Sequence, residues 1–527
     1  MTIPELERIS DYPRHYAQLL PEREALVLGD WRLSYRAFAD AVDRCAKALL
    51  ASGVGKGDRV AMLSTPRPEY FIVFLATARI GGIWLGLNPR YRLDEYRYVV
   101  GDAKPKLLFA ITAFEDRDYL PDLGALMDEY DHLERVVTLG HSVEGLSVGC
   151  DEFLAAADQI PEDTFAAVRD AVSAKDPALI VYTSGTTGKP KGAMLPHRGL
   201  VHCSRIQCEH WRTEPMRILN NLPINHIACV GDISSYSLVA GGTIVFMERF
   251  DPEGILALIA RERLTAWGQV PTMFQLTVAL PNFDDYDLSS LRAVVWGGAA
   301  APRALILKLK KLGVGLYSSY GLTESVGSVT YTDEDASIDV LADTVGRPDP
   351  RYEVRIAGPD GKPVARGEPG EIQVRGDFIT LGYVNRPEAT AEAIDADGWL
   401  HTGDVAVERE DGNYKLAGRL KEVYKSGGYN VYPREIETII ESHPAVAMAA
   451  VIGVPDPIYG EVGHAFILNE PGAALSEPEI AAYCGERLAN YKVPKEFVVR
   501  TELPMLTTGK IDKTALKAEA EAASAGA

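Results

Sequence analysis

Cysteine is scarce and scattered, with Cys45, Cys150, Cys203, Cys208, Cys229 and Cys484 the six in 527 residues. That spread builds no disulfide framework and suits a reducing compartment. Uninterrupted apolar runs are missing as well. The most apolar stretch, 70–87, is broken by Arg79 and by Gly81-Gly82, too often for a bilayer span, and reads as a buried helix. The opening residues carry no apolar signal region, and the closing Ala-Ser-Ala-Gly-Ala is no peroxisomal address, so the expected location is the cytoplasm. Positive charge is the minority sign: 54 basic against 74 acidic residues leave a net −20. With no basic stripe, nucleic acid and anionic membrane are poor partners. Internal repeats are absent, and low complexity is confined to the Ala/Glu-rich C-terminal end.

What remains is ordinary globular composition, 46% hydrophobic and 24% charged, in a chain long enough to require two or more domains. Strand signals at 58–63, 178–182, 242–247, 265–270, 293–296 and 316–319 alternate with helical stretches from Glu69, at 252–264, 271–280 and 302–311. That alternation predicts an α/β fold whose parallel sheets are covered on both faces, with ligands at the carboxyl ends of the strands. Beyond about residue 345 the texture changes. Alternating strands at 352–356 and 371–375, and a hairpin of 404–409 with 414–417 across Asp411-Gly412, indicate antiparallel pairing. After Gly418 the chain turns α+β, with a helix at 433–442 and a strand at 447–452. The expected organisation is a large N-terminal domain with a small β-barrel-like subdomain (1–418), a hinge (419–423) and a smaller C-terminal domain (424–527).

The strongest local signal is Tyr182-Thr-Ser-Gly-Thr-Thr-Gly-Lys-Pro-Lys-Gly192. It follows a strand and offers hydroxyls at Thr183, Ser184, Thr186 and Thr187, glycines at 185, 188 and 192, and the charges of Lys189 and Lys191. Gly185 and Gly188 let backbone N–H groups turn toward an anion, so the run reads as a phosphate cradle. It is not a Walker A loop, because Thr183 stands where that pattern needs glycine. Four further segments follow in order: Trp296-Gly-Gly-Ala-Ala-Ala-Pro302, Tyr320-Gly-Leu-Thr-Glu324, Trp399-Leu-His-Thr-Gly-Asp404, and the long run from Gly418 to Glu437, before Pro504-Met-Leu-Thr-Thr-Gly-Lys510 closes the set. Alone, each has a plainer reading: Glu324 as a carboxylate at a helix N-terminus, Asp404 as a turn residue, Lys421 as an exposed linker residue, Lys510 as a solvated lysine.

Together they resemble the AMP-forming adenylate superfamily of acyl- and aryl-CoA synthetases, luciferase-like enzymes and peptide-synthetase adenylation domains. The resemblance implies that Gly298, Ala299 and Ala300 contact adenine, and that Tyr320, Gly321, Leu322 and Thr323 complete the nucleotide site with the aromatic ring stacked on the base. It implies that Thr183 and Glu324 ligate Mg²⁺, oxygen donors of the kind that ion prefers. Asp404 would accept the ribose hydroxyls and Arg419 would meet ribose and phosphate. Lys421 would be the pivot of a mobile C-terminal domain, and Lys425, Gly427 and Gly428 would border the coenzyme A channel. Lys510 would contact the substrate carboxylate and the α-phosphate. ATP, Mg²⁺, coenzyme A and a small carboxylic acid are the implied ligands, and many members are homodimers.

The acid is less legible. His226, in Leu222-Pro-Ile-Asn-His-Ile227, either lines the acyl pocket or is a satisfied buried histidine, and Asn225 replaces the family's usual phenylalanine. Trp267, Val270, Met273 and Gly297 are expected as apolar lining, which fits a fatty, aryl or alicyclic acid. An amino-acid-selecting Phe-Asp pair and an attached carrier domain are both missing, which favours coenzyme A as acceptor. A carrier-protein acceptor, oxygen, or a silent adenylate-binding protein are the alternatives. A zinc site from His202, Cys203, Cys208 and His210 is rejected, because Cys203 and Cys208 lie about 140° apart on a helix.

Overall fold

The computed structural model describes residues 2–183, 189–470, 472–505 and 511–525. Two large sheets dominate. One has seven strands, in the order Lys191–Pro196, Pro177–Thr183, Ile83–Leu87, Arg59–Leu63, Leu107–Ala110, Arg135–Thr138, Ser147–Gly149, parallel except for the first pairing. The other has nine. Its centre, Thr243–Phe246, Arg217–Asn220, Ala266–Gln269, Ala293–Trp296 and Gly315–Leu322, is parallel, and antiparallel strands close both ends.

Side chains alternate across each strand, so each sheet has two apolar faces to bury. Val60, Met62 and Phe109 of the first sheet join Ile218, Ile244, Ala266 and Ala293 of the second in one core. Helices Tyr35–Ala51, Pro68–Arg79 and His197–His210 lie in that core, between the sheets. The outward faces, Ala61, Leu63 and Leu85 on one sheet and Leu219, Val245, Trp267 and Val294 on the other, are covered by further helices. Layers of helix and sheet therefore alternate.

The 70–87 stretch is a correction to the single buried helix expected there. It is the helix Pro68–Arg79 followed by the strand Ile83–Leu87. The break is at Gly81, whose φ of +77° an L side chain rarely adopts. Arg79, the charge inside that apolar run, is buried against Asp43 at 2.5 Å.

A four-stranded antiparallel sheet follows: Glu353–Ala357, Pro369–Arg375, Trp399–Glu408 and Tyr414–Arg419. The remaining strands form a five-stranded sheet around the hairpin Val446–Asp456 with Gly460–Asn469. One face of that hairpin (Ala449, Val451, Ala465, Ile467) packs with Ile436 and Ile480, and the other (Ala450, Ile452, Phe466) with Leu516 and Ala520. This C-terminal part thus carries apolar clusters of its own.

Candidate active site

The expected phosphate loop leaves the carboxyl end of Pro177–Thr183. Ser184, Gly185, Thr186, Thr187 and Gly188 lie outside the described residues, as does Lys510. Their flanks are placed. Thr183 pairs in register with Lys191, and its Oγ1 donates to Glu324 Oε1 at 3.4 Å. Glu324 is buried, and its Oε1 also accepts from the Tyr383 hydroxyl at 2.8 Å. Tyr383 arrives because residues 380–384 lie along Lys191–Pro196: Leu381 N bonds Met194 O, Val384 N bonds Gly192 O, and Thr380 N bonds the Glu324 carbonyl. Burial, and then the Glu324 charge, push the Tyr383 phenol well above its usual range, so it stays a donor. Lys191 Nζ sits 5.3 Å from the Tyr383 ring and Lys189 Nζ 5.7 Å from that of Tyr98.

Glu324 occupies the turn between the antiparallel strands Gly315–Leu322 and Gly327–Tyr331, so the helix N-terminus considered for it is not there. The turn is tight. A Cβ on Gly321 would sit 1.9 Å from the Gly327 carbonyl oxygen. Leu322 is half-buried and Thr323 buried beside it.

The second grouping joins two sheets. The buried Tyr320 hydroxyl donates to Asp404 Oδ2 at 2.8 Å, and Arg419 Nε meets Asp404 Oδ1 at 2.9 Å. Asp404 lies within a strand rather than a preceding turn, its amide bonded to Thr402 Oγ1 and the Gly403 amide held by Glu371. Gly298 (φ +77°), Ala299 and Ala300 are exposed in the loop between Ala293–Trp296 and the helix Arg303–Lys310.

Gly427 and Gly428, at φ +57° and +87°, form the two-residue turn joining Tyr424–Ser426 to Tyr429–Val431. Lys425 is exposed on the first of these strands. Lys421 is exposed in the preceding turn, where Glu422 N bonds the Arg419 carbonyl. Glu422 itself is held by Lys513 at 2.5 Å, which also meets Glu437 at 2.7 Å.

His226 is exposed, against the satisfied buried histidine considered for it, and its Nδ1 accepts from Ala228 N at 3.1 Å. Asn225 donates to the Tyr91 hydroxyl at 3.1 Å. Trp267 does not line the site. It is fully buried on the outward sheet face, edge-on to Phe274, because strand alternation sends it there. Gly297 is half-buried, Val270 Cγ1 lies 3.9 Å from a Cβ placed on Gly298, and Met273 packs on the core. Cys203 Sγ and Cys208 Sγ point to different carbonyls, those of Ser328 and Tyr236.

Motif reading missed Tyr383 and Lys513. Neither sits in a repeated pattern, and only the fold brings them to Glu324 and Glu422. A cavity of about 720 Å³ lies elsewhere, lined by Arg32, Arg217, Arg261 and Arg263, whose charges are taken up by Glu24, Glu262 and Asp287. As donors for Mg²⁺, Thr183 and Glu324 fit: two hard oxygens leave room for phosphate and water.

Comparison with known proteins identifies the family. The AMP-binding enzyme family matches residues 14–384, and the AMP-binding enzyme C-terminal domain matches residues 435–510. The chain is 37% identical over 506 residues to a feruloyl-CoA synthase of an Amycolatopsis species, covering 96% of this chain and 97% of that one. It is 36% identical to a methyl-dioxo-octahydroindenyl-propanoyl:CoA ligase of Mycobacterium tuberculosis, covering 94% and 96%. An anthranilate CoA ligase solved with anthranoyl-AMP superposes with a TM-score of 0.88 at 26% identity, covering all of both chains. The protein belongs to the AMP-binding enzyme family, as an AMP-forming acid–CoA ligase using ATP, Mg²⁺ and coenzyme A. Among the described residues no helix is long and apolar enough to cross a membrane.

Proposed function

We propose that this chain activates a hydrophobic aryl, alicyclic or fatty acid in two steps at the edge where the sheets meet. First, a carboxylate oxygen attacks the α-phosphorus of ATP, expelling pyrophosphate and leaving an acyl-adenylate. Then the coenzyme A thiol, losing its proton, attacks the acyl carbon and AMP departs. The observation that carries this reading is the pair of convergences, Thr183 with Glu324 and Tyr320 with Asp404 and Arg419, each joining residues far apart in sequence.

Phosphoryl transfer of this kind needs alignment and charge neutralisation more than covalent help. Mg²⁺ accompanying the nucleotide would neutralise phosphate charge, held by Thr183 and Glu324. The 184–188 amides, Lys189 and Lys191 would cradle the phosphates. Tyr320 and the Gly298–Ala300 loop would hold adenine, Asp404 the ribose hydroxyls, and Arg419 the ribose and phosphate. Lys510 would balance the charge shared by the carboxylate and α-phosphate. His226, which is exposed, would line the acid's entry.

The two steps need different neighbours around one adenylate, and Lys421 is the proposed pivot. Arg419 is anchored on Asp404 of the large part, whereas Glu422 is anchored through Lys513 to Glu437 of the small one. The change of body falls between them, which favours a boundary after Gly418 and a hinge at 419–423. Lys425, Gly427 and Gly428 would then face the incoming thiol. The six free cysteines suit the cytoplasm as its location.

The test is pyrophosphate release with a panel of acids, with and without coenzyme A, on wild type and Lys510→Ala. Release requiring an acid, thioester requiring coenzyme A, and collapse in the variant are expected. Release without thioester would replace coenzyme A by another acceptor.

A further inference from the structure

The sheet face opposite Trp267 is not filled. In the central strands Ala266–Gln269 and Ala293–Trp296, the half-buried positions are Gly268 and Val295, which pair in register. Gly297, next on that face, is half-buried too and has no side chain. Across from them runs Ala228–Ser235, wound as a π-helix, whose Ile233 Cδ1 would meet a Cβ on Gly268 at 3.3 Å. Six of its eight residues are buried; Ala228 and Asp232, four apart and hence on one face, are not. A cavity between helix and sheet accounts for all five accessible positions.

Its mouth is at His226 and the 298–300 loop, which are exposed. Its closed end is at Asp232, walled by the helix His197–His210 and by Gly327. A Cβ on Gly327 would lie 2.8 Å from Asp232 Oδ1 and 2.9 Å from Cys203 Sγ. Gln207, fully buried on that helix, donates from Nε2 to Asp232 Oδ1 at 2.5 Å, and its own Oε1 is buried without a hydrogen-bond partner. The Ser328 amide is a second donor to Asp232, but a carboxylate offers about four acceptor sites, so acceptors still outnumber donors at this end. From Gly327 the polar lining continues through Ser328, whose hydroxyl donates to Ser319 Oγ at 3.0 Å, to the Gly297 side of the loop.

We propose that Asp232 is a specificity-determining residue at the closed end of the acid pocket, and that it selects carboxylic acids bearing a hydroxyl at the end remote from the carboxylate. The inference rests on the ligase reading, which places the reacting carboxylate at the mouth, beside the phosphate loop. A hydroxyl donating to Asp232 fills an acceptor site that Gln207 and the Ser328 amide leave open, while a deoxy acid of the same shape leaves that acceptor desolvated and unpaired. Burial, only partly offset by bonds from Gln207 and the Ser328 amide, pushes the Asp232 carboxyl up to about 7.

The test compares kcat/KM for matched pairs: para-hydroxycinnamate with cinnamate, a hydroxycyclohexyl-propanoate with its deoxy form, and omega-hydroxydecanoate with decanoate. In wild type the hydroxylated member of the best-used pair is favoured by roughly tenfold or more, as expected of a site built to bond a substrate hydroxyl. In Asp232→Ala that ratio falls toward one, through a higher KM for the hydroxylated acid and an equal or higher kcat/KM for the deoxy acid. Asp232→Asn, isosteric and safer for folding, keeps part of the preference; a residue that merely held the helix in place would slow both members alike. Equal use of both members by wild type, or a ratio unchanged in both variants, overturns the proposal and leaves the ligase reading standing. No pyrophosphate release with any acid overturns both.

Discussion

At the scale of single residues, the account turns on Glu324, a buried carboxylate that receives hydroxyls from Thr183 and Tyr383 on one oxygen. Glu324→Gln keeps the shape and removes the charge that would hold the metal. Its kcat for acid-dependent pyrophosphate release is expected to drop about 100-fold or more, since charge stabilisation is the main service a phosphoryl-transfer site provides. Tyr383→Phe removes one donor and leaves the Glu324 carboxylate and its Thr183 partner in place, so its loss should stay within about tenfold. Comparing the two variants in one assay checks the order. Asp404→Asn should act on nucleotide binding instead: a hydrogen bond to a charged group contributes about 1.5–3 kcal/mol, so KM for ATP rises on the order of tenfold to a hundredfold. Glu324, Thr183 and Asp404 are visible in the sequence because each lies in a recognisable run. Tyr383 is not, because its place depends on a segment lying along a strand nearly two hundred positions earlier in the chain.

At the scale of elements, the parallel strands were legible from their apolar runs and the Gly and Pro residues that bound them. Two readings failed for one reason: periodicity does not say which way a chain turns or faces. The 70–87 run holds a helix and a strand because Gly81 takes a left-handed conformation. Trp267 points into the outward core because Gly268, its neighbour, takes the inward face. The turn bearing Glu324 depends on contact as close. Gly321→Ala would drive a Cβ into the Gly327 carbonyl and should lower thermal stability by about 3 kcal/mol or more. Nearby, burial would raise the Asp349 carboxyl, but bonds from Arg351 and His210 outweigh it and hold it well below the carboxylate range. A depressed carboxylate stabilises above its unfolded pKa, about 4, and that stability is lost as pH falls through the folded value. Asp349→Asn should therefore lower stability at neutral pH and flatten its decline in acid, as followed by denaturant melts from pH 7 to pH 3.

At the scale of the whole molecule, the change in texture after Gly418 was visible, but the ties on which the proposed boundary rests were not. Arg419 is fastened to Asp404, and Lys513, from a helix nearly a hundred residues on, fastens Glu422 to Glu437. Lys421→Pro fixes one φ between those two anchors. It should leave pyrophosphate release in the first step near the wild-type rate while overall thioester formation falls about tenfold or more, the pattern of a conformational step made slow. Full-rate thioester formation in that variant would remove the hinge from the account. The central claim, that the convergent edge forms an acyl-adenylate and passes it to coenzyme A, is tested most directly by following pyrophosphate and thioester together, with and without coenzyme A, for wild type and Lys510→Ala. The account predicts acid-dependent pyrophosphate, thioester only with coenzyme A, and loss of both in the variant; pyrophosphate with no thioester, or full activity without Lys510, would contradict it.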